Sequence, residues 1–217
     1  MVKRSVKIYM VMAFFLSSLI FFAGVGAGLL VEEMKNNQLI SELASVKTSL
    51  QDAEIELKLM NYMKENISCD YLLLKSEELS RQADEEGGKL ELYESSQPLN
   101  SRNYLLLKKD YMRLLVNNWL TMKRIKDSCG ANYTTILYFY SNRNCAECDK
   151  QGYVLDYFKH KLGNRVMIFS LDSSLNLSFI DMLRYNYGIK SYPSLVINGR
   201  VFNRFVNSTE LAGLLGI

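Results

Sequence analysis

The chain has 217 residues, enough for one or two domains. Its 26 basic and 23 acidic side chains nearly balance, and no basic block interleaved with aromatics marks a nucleic-acid surface. Four cysteines in a chain of this length are too few for a disulfide-scaffold protein.

The first element, Ile8 to Val31, is almost wholly apolar, relieved by Ser17, Ser18 and small residues. It exceeds the ~20 residues a helix needs to cross a bilayer, and it lacks the polar stripe that a buried core helix of a soluble protein would carry. Lys3, Arg4 and Lys7 precede it, whereas Glu32 and Glu33 follow. The positive-inside rule then keeps residues 1–7 cytoplasmic, makes 8–31 a transmembrane helix, and sends everything after Val31 outside a cell membrane in a single pass. Val25-Gly26-Ala27 could instead serve as a signal-peptide cleavage site, although the apolar run continues beyond it. Gly24 and Gly28 form a small-xxx-small pair of the kind that supports helix dimerisation.

Residues 32–130 read as a helical stalk or hairpin region. Leu39, Leu43, Val46, Leu50, Ala53, Leu57 and Met60 alternate steps of four and three, a heptad seam over about three heptads. Either a second copy covers that seam, making a coiled-coil homodimer, or the chain's own next helices do. Asn66-Ile67-Ser68-Cys69 interrupts the helix, and the next stretch runs to about Glu86, where Gly87-Gly88 is expected to break or kink it. Gln97-Pro98-Leu99-Asn100 reads as a turn. A long helix follows with Leu107, Tyr111, Leu114, Met122 and Ile125 on one face, Trp119 near it, and Gly130 as its C-cap.

Cys69 lies 28 residues before Gln97, and Cys129 lies 29 after Asn100. Two helical arms would form an antiparallel hairpin about 40 Å long with the two cysteines side by side at its base. Outside the cytoplasm that pair would oxidise, and closing a loop of about sixty residues contributes roughly 4 kcal/mol in the chain-entropy model. A turn at Gly87-Gly88 would instead part the two cysteines and leave buried free thiols.

Residues 131–217 form the last domain. Its elements read strand, helix, strand, helix, strand, strand, helix, beginning with Thr134 to Tyr140, and the second strand, Arg165 to Leu171, is apolar enough to be covered on both faces. Asn198-Gly199 is a two-residue hairpin signal, and Asn207-Ser208-Thr209-Glu210 caps the last helix. Between the first strand and first helix sits Asn144-Cys145-Ala146-Glu147-Cys148. A helix N-terminus carries unsatisfied N–H groups and partial positive charge, which favour a thiolate at Cys145. Cys148, one turn further in, can attack a mixed disulfide formed by Cys145. Arg143 should lower the thiol pKa, whereas Glu147 and Asp149 oppose it, so the pair should have an intermediate or reducing poise. Zinc or a [2Fe–2S] cluster needs further close-spaced ligands. Cys69 and Cys129 have none, and the lone His160 sits between Lys159 and Lys161 on a solvated face. No metal and no other cofactor is expected.

A second stretch, Tyr187-Gly188-Ile189-Lys190-Ser191-Tyr192-Pro193-Ser194-Leu195-Val196-Ile197-Asn198-Gly199-Arg200-Val201, resembles the thioredoxin family, in which such a run leads into a cis-proline, a strand, a turn and another strand. The resemblance covers about Asn132 to Ile217 and implies an α/β thioredoxin-like domain. It implies Cys145 as attacking thiol, Cys148 as resolving thiol, Pro193 as the cis-proline facing them and Tyr192 as a substrate contact. The sequence departs from the family at Asn144, where a tryptophan is usual, at Ala146-Glu147 in place of Gly-Pro, and at Phe139, where thioredoxins bury a carboxylate.

Together these features describe a membrane-tethered thiol–disulfide oxidoreductase acting on extracytoplasmic protein thiols and disulfides, reset by an unidentified membrane or soluble redox partner. Two alternatives stand beside it: a thioredoxin-fold binding or scaffold module with a structural Cys145–Cys148 disulfide, and a disulfide isomerase dimerised through the Leu39–Met60 seam. Sequons at Asn66, Asn132, Asn176 and Asn207 fit an extracytoplasmic face in a host that glycosylates.

Overall fold

A computed structural model describes residues 2–63, 67–96 and 102–217. The turn expected at Gln97-Pro98-Leu99-Asn100 and the sequon at Asn66 lie outside these residues, as do the side chains of Lys3, Arg4, Lys7, Glu32 and Leu39. The chain divides into two units, Met1–Ala44 and Ser45–Ile217. The boundary falls inside the first helix, α1 (Val2–Met63).

In the first unit, Met12–Val31 is long and apolar enough to cross a membrane. None of its side chains is buried among the described residues, and Phe14, Phe15, Phe21 and Phe22 are exposed.

The second unit contains the rest of α1, then α2 (Cys69–Ser96), α3 (Arg102–Cys129), β1 (Thr134–Tyr140), α4 (Ala146–Leu162), β2 (Val166–Asp172), α5 (Ser178–Tyr187), β3 (Ser194–Ile197), β4 (Arg200–Phe202) and α6 (Ser208–Leu215). From β1 onward this is the order of strands and helices expected from the sequence. The sheet order is β2-β1-β3-β4. β1 runs parallel to β2 and antiparallel to β3, and β3 pairs antiparallel with β4. Asn198 (φ 46°) and Gly199 (φ 88°) make the turn between β3 and β4, where both central residues need the left-handed region.

Strand periodicity sorts the side chains onto two faces. Leu137, Phe139, Met167, Phe169, Leu171 and Val196 pack with residues of α2, α3 and α5. Ile136, Tyr138, Val166, Leu195 and Ile197 turn the other way, toward α4 and α6. The sheet is thus covered on both sides.

The helices before β1 share the first of these cores. Leu72, Leu79 and Ala83 of α2 meet Met112, Leu115, Trp119 and Met122 of α3, and Met60 of α1 joins them. Val46, Leu50, Ala53 and Met60, four members of the heptad seam, are buried within the chain itself. Arg124 of α3 holds the end of α1 by donating to the Met60 carbonyl at 3.0 Å and to Asn61 Oδ1 at 2.6 Å.

The break expected at Gly87-Gly88 is absent, and α2 continues through both residues to Ser96. The reason is steric. A Cβ on Gly87 would lie 2.7 Å from the Tyr111 hydroxyl of α3, which donates to the Ala83 carbonyl at 3.0 Å. Gly87 is the place where α3 comes close, and packing outweighs the ~1 kcal/mol preference against helical glycine.

An ion pair is buried at this junction. Lys108 Nζ of α3 lies 3.0 Å from Asp172 Oδ2 at the end of β2 and 3.1 Å from Glu94 Oε1 of α2. The Lys108 and Asp172 side chains are only 3% and 1% exposed, which makes the pair interior. Burial pulls the Lys108 ammonium down, but the opposing charges of Asp172 and Glu94 outweigh it and hold it above its ordinary value. Removing one partner leaves a buried charge unmatched. Lys108→Met should therefore cost about 3–5 kcal/mol in urea unfolding; a loss under about 1 kcal/mol, typical of a solvated pair, would contradict an interior ion pair.

Candidate functional site

The site is built where β1 ends. β1 delivers the chain at Tyr140 into a short loop, and α4 begins six residues later, at Ala146. Ser141 closes that loop: its hydroxyl donates to the Arg143 carbonyl at 3.0 Å and accepts from the Arg143 N–H at 3.1 Å. Asn144 then takes φ 55°, a left-handed conformation that asparagine tolerates better than most residues with a Cβ. Cys145 is the N-cap of α4, at φ −128° and ψ 83°. Its carbonyl accepts from the Cys148 N–H at 3.2 Å.

Cys145 and Cys148 are joined in a disulfide, Cα to Cα 5.4 Å. Cys145 is half-buried and Cys148 is buried. The outer sulfur is therefore the one an incoming thiolate can reach. Arg143, Asn144, Glu147 and Asp149 are all exposed around it. They bring charges of both signs to the surface around it.

Tyr192 and Pro193 come to the same end of the sheet. The last β1–β3 pair is Phe139 with Ser194; Tyr140 and Pro193 are the next residue on each side. The Cys145 loop and the Tyr192–Pro193 segment thus leave the sheet together. The Tyr192–Pro193 bond is cis, and Pro193 is buried. Tyr192 is half-buried, with the Arg184 guanidinium 5.4 Å from its ring centroid.

Nothing in the local sequence singles out Asn203, yet it pins this second segment. Its Oδ1 accepts from Lys190 N at 3.1 Å and lies 2.9 Å from Ser194 Oγ, its Nδ2 donates to the Gly188 carbonyl at 3.0 Å, and its own carbonyl accepts from the Ser191 hydroxyl at 2.8 Å. An asparagine just after a short strand is an ordinary surface signal. Only the fold brings it back over residues 188–194.

Tyr138 was also unremarked. It is buried, and its hydroxyl donates to the Cys148 carbonyl at 2.6 Å. Its ring stacks on Tyr140, centroids 5.3 Å apart. Phe139 is fully buried between them in sequence, facing the helices on the other side. The nearest buried carboxylate in the strands is Asp172, which pairs in register with Tyr140 and is already held by Lys108.

Cys69 and Cys129 are likewise joined by a disulfide, Cα to Cα 5.5 Å across 60 residues of sequence. They lie apart from this site, at the opposite end of β1. His160 is exposed on α4, 3.4 Å from Asp156.

No protein-family model matches the chain, and none of the curated proteins matches it. Among solved structures, the chain is similar to one described as a malarial protein, at 23% identity and TM-score 0.34, covering 39% of this chain and 96% of that one. It is similar to thioredoxin-2, described as a component of malaria parasite protein secretion machinery, at 24% identity and TM-score 0.34, covering 39% and 82%. A thioredoxin of Malassezia sympodialis matches at 18% identity and TM-score 0.33, covering 43% and 82%. Each neighbour spans only a minor part of this chain.

Burial, aided by the charge of Asp149, raises the Tyr138 hydroxyl above its ordinary 10.0. The stabilisation it gives is thus complete below pH 10 and lost as the pH climbs toward the folded-state value. Tyr138→Phe removes a hydrogen bond and leaves the Cys148 carbonyl buried without this donor. It should cost about 1–3 kcal/mol and speed alkylation of Cys148 in the reduced protein. Unchanged alkylation would mean that Tyr138 does not hold the second cysteine.

Proposed function

We propose that this chain is a membrane-tethered thiol–disulfide oxidoreductase of the thioredoxin fold, acting on protein thiols and disulfides outside the cytoplasm. The observation that carries the reading is the meeting, at one end of the sheet, of a Cys145–Cys148 disulfide at a helix N-terminus and the Tyr192–cis-Pro193 segment. The tether is the Met12–Val31 helix, and the charges flanking it favour a cytoplasmic N-terminus.

In the reducing direction, the Cys145 thiolate attacks a substrate disulfide and releases one substrate sulfur. Cys148 then attacks Cys145 in the mixed disulfide, freeing the second substrate sulfur and closing the Cys145–Cys148 bond. Two electrons pass to the substrate. The same steps reversed oxidise a substrate dithiol. The helix N-terminus stabilises the Cys145 thiolate, and burial keeps Cys148 for the resolving step. Tyr192 contributes bulk and contact beside the reacting sulfurs, and Asn203 fixes its segment. No cofactor beyond the thiols is needed; a redox partner must reset the pair.

The second reading is a binding module in which Cys145–Cys148 is structural. Asn144 in place of the usual tryptophan, and Phe139 in place of a buried carboxylate, favour it. The isomerase reading needs a dimer, and Val46, Leu50, Ala53 and Met60 face the chain's own core; a second copy would have to use a different face.

Cys148→Ser separates the first two. An oxidoreductase then accumulates covalent, dithiothreitol-sensitive adducts with protein substrates through Cys145, and Cys145→Ser abolishes exchange. If Cys148→Ser forms no adducts and both variants simply lose stability, the pair is structural.

A further inference from the structure

The more exposed disulfide in this molecule is the other one. Cys69 is exposed and Cys129 half-buried, whereas Cys145 is half-buried and Cys148 buried. We propose that Cys69–Cys129 is a second, independently exchanging redox site, with Cys69 as the sulfur that forms mixed disulfides with a partner protein dithiol.

Three observations carry this beyond a structural bridge. Cys69 is the first residue of the 28-residue α2, and the first backbone bond of that helix runs from Leu72 N to the Ser68 carbonyl at 3.1 Å. A thiolate at Cys69 therefore sits at the N-terminal end of a long helix, the end that stabilises it. Cys129 is the last residue of α3, where the helix field disfavours a thiolate. The two sulfurs thus differ in access, with Cys69 the one an incoming thiolate reaches first. Second, Cys69 and Cys129 themselves line an open groove of about 930 Å³, together with the apolar Leu57, Leu72 and Leu120 and the charged Lys123, Arg124 and Asp127. Arg124 is held there by Met60 and Asn61, and Lys123 lies over the Trp119 ring at 6.0 Å. An extended segment of a partner chain fits such a groove. Third, α2 and α3 pack through Leu72, Leu79 and Ala83 against Met112, Leu115, Trp119 and Met122, so opening the bridge at their ends leaves their interface in place.

The two sites serve different partners. Cys129 lies five residues before β1 and Cys145 five after it, and the 7-residue strand separates them by about 20 Å. Direct exchange between the pairs in one chain is out of reach. At the second site, a thiolate of the partner dithiol attacks Cys69 Sγ, and the Cys69–Cys129 bond breaks. Cys129 leaves as thiolate and takes up a proton. The partner's second thiol loses its proton and attacks its own sulfur in the mixed disulfide, releasing Cys69. Two electrons and two protons pass from the partner, which becomes a disulfide, to the Cys69 and Cys129 pair.

The test uses the full chain in detergent micelles carrying Cys145→Ser and Cys148→Ser. Only Cys69–Cys129 can then exchange, and a failure of the oxidoreductase reading at Cys145 leaves the result unaffected. The protein is equilibrated with reduced and oxidised glutathione over a series of ratios, quenched by alkylation and mapped by mass spectrometry, with far-ultraviolet circular dichroism recorded alongside. The expected result is reversible reduction with helix content retained, and a glutathione adduct at least tenfold more abundant on Cys69 than on Cys129. A bridge that stays oxidised until the helical signal is lost, or an adduct found mainly on Cys129, would overturn the proposal.

Discussion

The position of β1 is the constraint from which the rest of the second unit follows. It is hydrogen-bonded on both edges, parallel to β2 and antiparallel to β3, and its side chains alternate between the two cores. Its register with β3 fixes which residues leave the sheet beside which: Phe139 opposite Ser194 puts the Cys145 loop next to Tyr192 and Pro193. A slip of one residue would turn Ile136 and Tyr138 toward α2, α3 and α5, and Leu137 and Phe139 toward α4 and α6. The Cys145–Cys148 disulfide and its facing segment are thus products of the same ladder that builds the core.

The helices before β1 are not an appendage to this sheet. α3 buries Leu107, Met112, Leu114, Leu115, Trp119, Met122 and Ile125, against α2 on one side and the strands on the other. Lys108 adds a polar bond across the junction, reaching α2 through Glu94 and β2 through Asp172. An interior ion pair of this kind contributes little net stability compared with a well-packed apolar pair, but it penalises any arrangement that separates its members. That penalty helps fix how α2, α3 and β2 meet.

Elements whose signals are local were legible in the sequence. The alternation of β1, the Asn198-Gly199 turn, the Asn207 cap (accepting from Glu210 N at 2.9 Å) and the glycine at the end of α3 each depend on a few neighbouring residues. The CxxC at a strand-to-helix junction could be read for the same reason. What could not be read depends on contacts distant in sequence. Gly87-Gly88 has the composition of a break, and only Tyr111, 24 residues away, turns it into a contact surface. Asn203 and Tyr138 look ordinary until the fold returns them to Gly188 and Cys148. The heptad seam of α1 has the same pattern whether a second chain or its own α2 and α3 cover it, since periodicity reports an apolar face and not its partner.

The central claim is that Cys145–Cys148 is a working redox pair and not a fixed bridge. The most direct measurement is its reduction potential in the full chain, by glutathione or dithiothreitol titration with each cysteine followed separately by alkylation mapping. A midpoint between about −120 and −270 mV is the predicted result, and its position within that range would separate oxidase from reductase. A pair that resists reduction below about −300 mV would contradict the account, leaving a scaffold closed by a structural disulfide.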